Sequence, residues 1–162
     1  MRTVAPGVVL LALTACSGGA PTPGAEGPQP VITRIDSGAI VLAGGQGLGD
    51  PVRAVIRDSS EWSAFWGQAH ALVEPAPPLP AVNFADSMLL VAALGTRATG
   101  GHVVTIDSVA RGATLRAFVT TSTPGPDCMT TMAITWPVQV VRVSKFDGSV
   151  DFVEGEQVRP CR

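Results

Sequence analysis

Met88-Leu89-Leu90-Val91-Ala92-Ala93-Leu94-Gly95 is the longest uncharged apolar stretch after the first residues of the chain, and it shows no alternation of apolar with polar positions. Eight residues are strand length, far short of the roughly 20 that cross a bilayer. An apolar run without alternation reads as a central strand covered on both faces. One cover lies upstream. Trp62, Phe65, Trp66, Ala69 and Leu72 or Val73 recur at helical spacing, which predicts an amphipathic helix over about 60–73, with Asp58 or Ser59 as N-cap and Glu61 placed for a capping interaction. The aromatic stripe is expected to pack on the sheet, and His70 is expected at the rim or surface of that helix. Glu74-Pro75-Ala76-Pro77-Pro78-Leu79-Pro80 ends the helix, because its prolines forbid both helix and inner strand.

Outward from this centre the patterns are β. Val31–Ile35, Ala39–Ala43 and Val52–Arg57 read as short strands. Between the last two, Gly44-Gly45-Gln46-Gly47-Leu48-Gly49-Asp50-Pro51 could be mistaken for a phosphate cradle, but no helix opens after it and no Gly-Lys-Ser/Thr follows. It is read as a flexible turn. Thr96–Gly101 is a turn leading to His102–Val109, and Val103–Val109 is expected to pair with Thr114–Thr121 across Ala110–Ala113. Val138–Phe146 is expected to pair with Val150–Val153, because Asp147-Gly148 is a strong hairpin signal. Pro137 separates or offsets Thr130–Thr135 from Val138–Ser144. The expected class is α+β, mostly β: an antiparallel sheet or sandwich with one amphipathic helix packed on it.

The first residues carry a different message. A single charge, Arg2, precedes the short apolar run Val4–Ala15, which has the length of a secretory leader. Leu13-Thr14-Ala15-Cys16 resembles the lipobox of bacterial lipoproteins, in which a cysteine sulfur takes the diacylglyceryl group; only a thiol serves there. The expected organisation is therefore a signal peptide over 1–15, a lipidated Cys16 with a Gly/Pro-rich tether over 16–30, and one β-rich domain over 31–162. Residues 17–30 would reach roughly 20–45 Å. The location expected is the cell envelope, lipid-anchored and extracytoplasmic, facing the periplasm or on the cell surface.

Charge and cysteines agree with that reading. Thirteen acidic residues against 11 basic ones give a net charge of −2, and loss of Arg2 takes it to −3. No basic field exists for nucleic acid. After lipidation two cysteines remain, Cys128 and Cys161, and an oxidising compartment would join them, pinning the C-terminal tail to the loop after Pro126; the alternative is two free thiols. Neither has a histidine within a few residues, so no metal site is expected.

Several segments, in order, resemble the C-terminal domain of the PrcB family. These are Asn83-Phe84, Met88–Val91, Gly95-Thr96-Arg97-Ala98-Thr99-Gly100-Gly101 with His102–Ile106, Pro124-Gly125-Pro126, Thr135–Val143 and Val150-Asp151-Phe152. The resemblance covers roughly residues 60–153. Asn83 stands where the family favours aspartate, and His102 where it favours an aromatic. The resemblance implies a lipoprotein subunit that accompanies a surface subtilisin-type protease and is not itself the protease. It brings no catalytic residues and no cofactor.

The residues themselves agree. There are two histidines, no Gly-x-Ser-x-Gly and no His-Glu-x-x-His. A triad of His102, Asp107 and a serine fails on a regular strand, whose alternation puts His102 and Asp107 on opposite faces. Catalytic and metal sites are thus expected to be none, and no small-molecule substrate is evident. The candidate partner-binding loop is Arg97, Thr99, Gly100, Gly101 and His102, and the expected partner is an exported protease or another envelope protein. One alternative is a small β-rich inhibitor of exported proteases, with Thr99-Gly100-Gly101 as its inhibitory loop. Another is an enzyme of unrecognised mechanism.

Overall fold

A computed structural model describes residues 45–161 and the backbone of Thr33–Arg34. The leader, Cys16, the tether, Ala39–Ala43 and the rest of the Val31–Ile35 strand lie outside the described residues. In chain order the elements are β1 (Thr33–Arg34), β2 (Val52–Ile56), α1 (Ser59–Ala69), β3 (Ser87–Ala93), β4 (Val103–Arg111), β5 (Leu115–Pro124), β6 (Val138–Ser144) and β7 (Val150–Arg159). One sheet has the order β1-β6-β3-β2 and the other β4-β5-β7. The expected class, α+β and mostly β, holds.

Every residue of β3 is buried, because a different layer covers each face. Leu89, Val91 and Ala93 meet Trp62, Trp66 and Ala69 of α1, together with Val138 and Val140 of β6. Met88, Leu90 and Ala92 face Val104, Ile106 and Val109 of β4 and Leu115, Ala117 and Val119 of β5. The result is three layers: helix, first sheet, second sheet.

The helix starts as its sequence requires. The Asp58 carboxylate accepts from the Ser60 and Glu61 amides, both at 2.8 Å, and the Glu61 carboxylate accepts from the Arg57 amide at 2.7 Å. It ends four residues earlier than the spacing predicts, at Ala69. The glycine-rich segment stops it: the Gly45 amide donates to the Ala69 carbonyl at 2.6 Å, and Leu48 is buried in the same cluster. A Cβ on Gly47 would sit 1.8 Å from the Gln68 carbonyl oxygen. This loop is a fitted seal rather than a flexible turn, and Leu72, expected in the apolar stripe, is 71% exposed.

Two indole N–H groups hold the proline loop on the helix. Trp62 donates to the Pro80 carbonyl at 2.9 Å and Trp66 to the Pro77 carbonyl at 3.0 Å. His70 is not at the rim. It is 3% exposed, with its ring 4.1 Å from that of Trp66 and its Nδ1 2.9 Å from the Trp66 carbonyl. The early helix end turns it inward.

The expected β6–β7 hairpin does not form. Both edges of β6 are occupied, by β1 and β3, and β7, with Asp151, Glu154, Glu156 and Arg159, is too polar for that buried sheet. Residues 145–149 instead cross between the sheets. Phe146 packs against the inter-sheet core, the Ser149 carbonyl accepts from the Leu115 amide at 3.0 Å, and the Gly148 carbonyl accepts from the Arg57 guanidinium at 2.8 Å. β7 then runs parallel to β5, with Leu115 opposite Val150 and Pro124 opposite Arg159. An ion pair ties the sheets at their margin: Arg53 of β2 meets the Glu154 carboxylate of β7 at 2.7 and 2.9 Å.

A buried polar bond crosses the middle. Gln139 of β6, 5% exposed, accepts from the Ile106 amide of β4 through its side-chain oxygen, beside the β-bulge between Ile106 and Ser108. Gln139→Leu removes the acceptor and leaves that amide buried and unpaired. We expect a loss of about 1–3 kcal/mol in urea unfolding; an unchanged midpoint would show that the bond carries no stability.

Candidate interaction site

The loop after β3 carries the chain from the first sheet to the second, and backbone and side-chain hydrogen bonds tie it to the segment before β6. The Leu94 amide donates to the Pro137 carbonyl at 2.9 Å and the Thr96 amide to the Gly49 carbonyl at 2.9 Å. Arg97 and Thr135 exchange both backbone bonds, at 2.8 and 2.9 Å, and the Gly100 amide donates to the Thr131 carbonyl at 3.0 Å. The Thr135 hydroxyl donates to the Thr99 carbonyl at 3.0 Å, the Trp136 indole to the Thr96 hydroxyl at 3.1 Å, and the Arg159 guanidinium to the Gly101 carbonyl. Thr130–Thr135 is thus not a strand; it is a strap with a single bridge, to Arg97.

The two glycines suit this closure. Gly100 is buried, and a Cβ there would lie 2.2 Å from the Thr131 hydroxyl; Gly101 has φ +90°, a conformation glycine adopts without steric cost.

What the strap exposes is apolar. Met129, Met132 and Ile134 are 101%, 92% and 59% exposed. Val158 of β7 is 65% exposed and, with Cys128, packs beside Gly125. Exposed clusters of large apolar side chains mark contact surfaces in soluble domains, and methionine suits them because its chain adapts to a partner. Sequence reasoning missed these residues. The available signal was three large apolar residues, Met129, Met132 and Ile134, between Pro126 and Pro137.

Cys128 and Cys161 are joined as a disulfide with Cα atoms 5.2 Å apart. The Gly125 amide donates to the Arg159 carbonyl at 2.9 Å, so a covalent link and a backbone bond both hold the C-terminal residues against the strap.

Of the five residues of the candidate loop, the structure leaves the side chains of Arg97, Thr99 and His102 half-buried. Arg97 and His102 line a cleft of about 470 Å³ with Thr121, Thr123, Glu156 and Val158. The His102 Nε2 lies 3.4 Å from the Thr99 hydroxyl, and its buried Nδ1 has no partner. Asp107 does not join it. The Asp107 carboxylate accepts from the Thr120 hydroxyl on the bulged strand. Among the described residues no group of three or more His, Cys, Asp or Glu side chains could hold a metal ion.

Burial, and then the nearby Arg97 guanidinium, lower the His102 pKa below its ordinary 6.5. The folded protein therefore resists this proton more than the unfolded chain does. As pH falls through about 6.5 the unfolded chain takes it up first, and stability falls until the lowered folded-state pKa is passed. We expect His102→Gln to flatten the dependence of the urea midpoint between about pH 7.5 and about pH 5.5. Parallel curves for the two proteins would refute that assignment.

Neither a curated protein nor a solved structure gives a significant match to this chain. Residues 88–144, from the second residue of β3 to the last of β6, match the model of the family described as PrcB C-terminal, the family whose pattern this sequence resembles.

Proposed function

We propose that this protein is a lipid-anchored, extracytoplasmic, non-catalytic binding subunit that accompanies an exported protease. The observation that carries the reading is the family match over 88–144. At the level of the family it supports a protease-associated accessory domain, and it spans both the bonded loop 96–101 and the apolar strap. The exposed Met129, Met132, Ile134 and Val158 supply the kind of surface a protein partner covers. Cys16 supplies the anchor, and residues 17–30 the tether that lifts the domain from the membrane. Among the described residues, no helix is long and apolar enough to cross a membrane, so in this reading attachment rests on the acyl chains.

Capture from detergent-solubilised envelope tests the proposal. The wild-type chain should co-purify with a protease, and the double substitution Met129→Ser, Met132→Ser should reduce the recovered partner about tenfold or more, as expected for loss of two central contacts. Envelope eluates without any protease would overturn the accessory role, and equal recovery by the double variant would place the contact elsewhere.

The anchor is tested separately. A fatty-acid analogue should label the wild-type chain and leave Cys16→Ala unlabelled. Equal labelling of both would refute lipidation at Cys16.

A further inference from the structure

The row of β5 side chains that faces the first sheet begins with Leu115, Ala117 and Val119, all inside the inter-sheet core. Alternation continues the row to Thr121 and Thr123. Their partners on β7 are Glu156 and Val158. Past the Arg53–Glu154 ion pair, therefore, the inner face of the second sheet turns from apolar to polar. There the cleft of about 470 Å³ opens, with Arg97 and His102 completing its wall.

The polar groups around this cleft are under-used. Among the described residues the guanidinium of Arg97 makes one hydrogen bond, a long one of 3.3 Å to its neighbour's carbonyl at Thr96. Among the described residues the sole ion pair is Arg53 with Glu154, so Arg97 and Glu156 line the same cleft without neutralising each other. His102 adds a buried nitrogen with no partner.

We propose that this cleft binds a short zwitterionic ligand, a free amino acid or the backbone of a small peptide, with its carboxylate on Arg97 and its ammonium on Glu156. Thr121 and Thr123 offer hydroxyls to the polar atoms between the two charges, and the His102 ring forms part of the wall. The pairing of one cation with one carboxylate selects this class. A phosphate dianion would meet Glu156 as a like charge, and a sugar would find no aromatic ring among the lining residues. The volume lies within the range of small-ligand pockets, about 300–1,000 Å³. This site does not depend on the identity of the protein partner, so it stands or fails independently of the capture experiment above.

Amide NMR on the full mature chain, titrated with alanyl-alanine and in parallel with free alanine, tests the proposal. Saturable shifts are expected at His102, Thr121, Thr123 and Glu156, and the tighter of the two probes identifies the source. Acetylating the peptide's amine or amidating its carboxylate should each weaken binding about tenfold or more, as should Glu156→Gln and Arg97→Gln, since each removes one charge-assisted pair. Arg97→Gln keeps the backbone bonds to Thr135, and an unchanged core spectrum checks its folding. Absence of saturation by either probe up to about 10 mM, a range that includes even weak millimolar affinity, would overturn the proposal. So would equal binding of the blocked peptides.

Discussion

The architecture depends on one requirement: a seven-residue strand, Ser87–Ala93, with no face that can meet water. Full burial of each Leu, Met or Val side chain contributes about 1.5–3 kcal/mol, and those of β3 are 0% exposed. One layer could satisfy only half of them. The aromatic helix covers the Leu89, Val91 and Ala93 face, and a second sheet covers the Met88, Leu90 and Ala92 face. The chain must cross between the sheets three times: immediately after β3, back again between β5 and β6, and once more after β6. Polar bonds help to fasten these crossings, the loop 96–101 to the strap that returns the chain and residues 145–149 to Arg57 and Leu115, where Phe146 also packs against the core.

That division of labour shapes the surface. The second sheet has one apolar inner row, which runs out beyond Val119, and its last strand is polar. The inter-sheet space therefore closes over its core and opens into a cleft at the far end. Arg53 with Glu154 marks the boundary between the two regimes. Next to the cleft, the segment that returns the chain to the first sheet presents Met129 and Met132 to solvent, with Val158 of β7 exposed nearby. A hydrogen-bonded backbone reduces the ordering entropy lost on binding, while each immobilised methionine side chain still costs about 0.5–1.5 kcal/mol. Such an arrangement suits a recognition surface better than a mobile loop would.

Much of the interior was legible in the residues. The run Met88–Gly95 has only one reading compatible with its length and lack of alternation, and the spacing of Trp62, Phe65, Trp66 and Ala69 requires a helix face. For the candidate loop 97–102 the structure adds what no local pattern contains: Gly100 is a close-approach point against Thr131, and Gly101 turns the chain at φ +90°. The Met129–Ile134 surface was hidden because Met132, Ile134 and Trp136 alternate as a strand would, whereas the structure makes this segment an irregular crossing with Met132 and Ile134 exposed. The cleft was hidden because Arg97, Thr121 and Glu156 lie far apart in sequence.

The sequence by itself determined which strand is buried and where the helix begins, because each rests on local spacing. Tertiary structure alone decided where β7 goes. Asp147-Gly148 favours a hairpin locally, yet both edges of β6 are taken and β7 carries charges that the first sheet cannot bury. Occupancy of a sheet edge is a property of the whole fold, and no window of residues contains it.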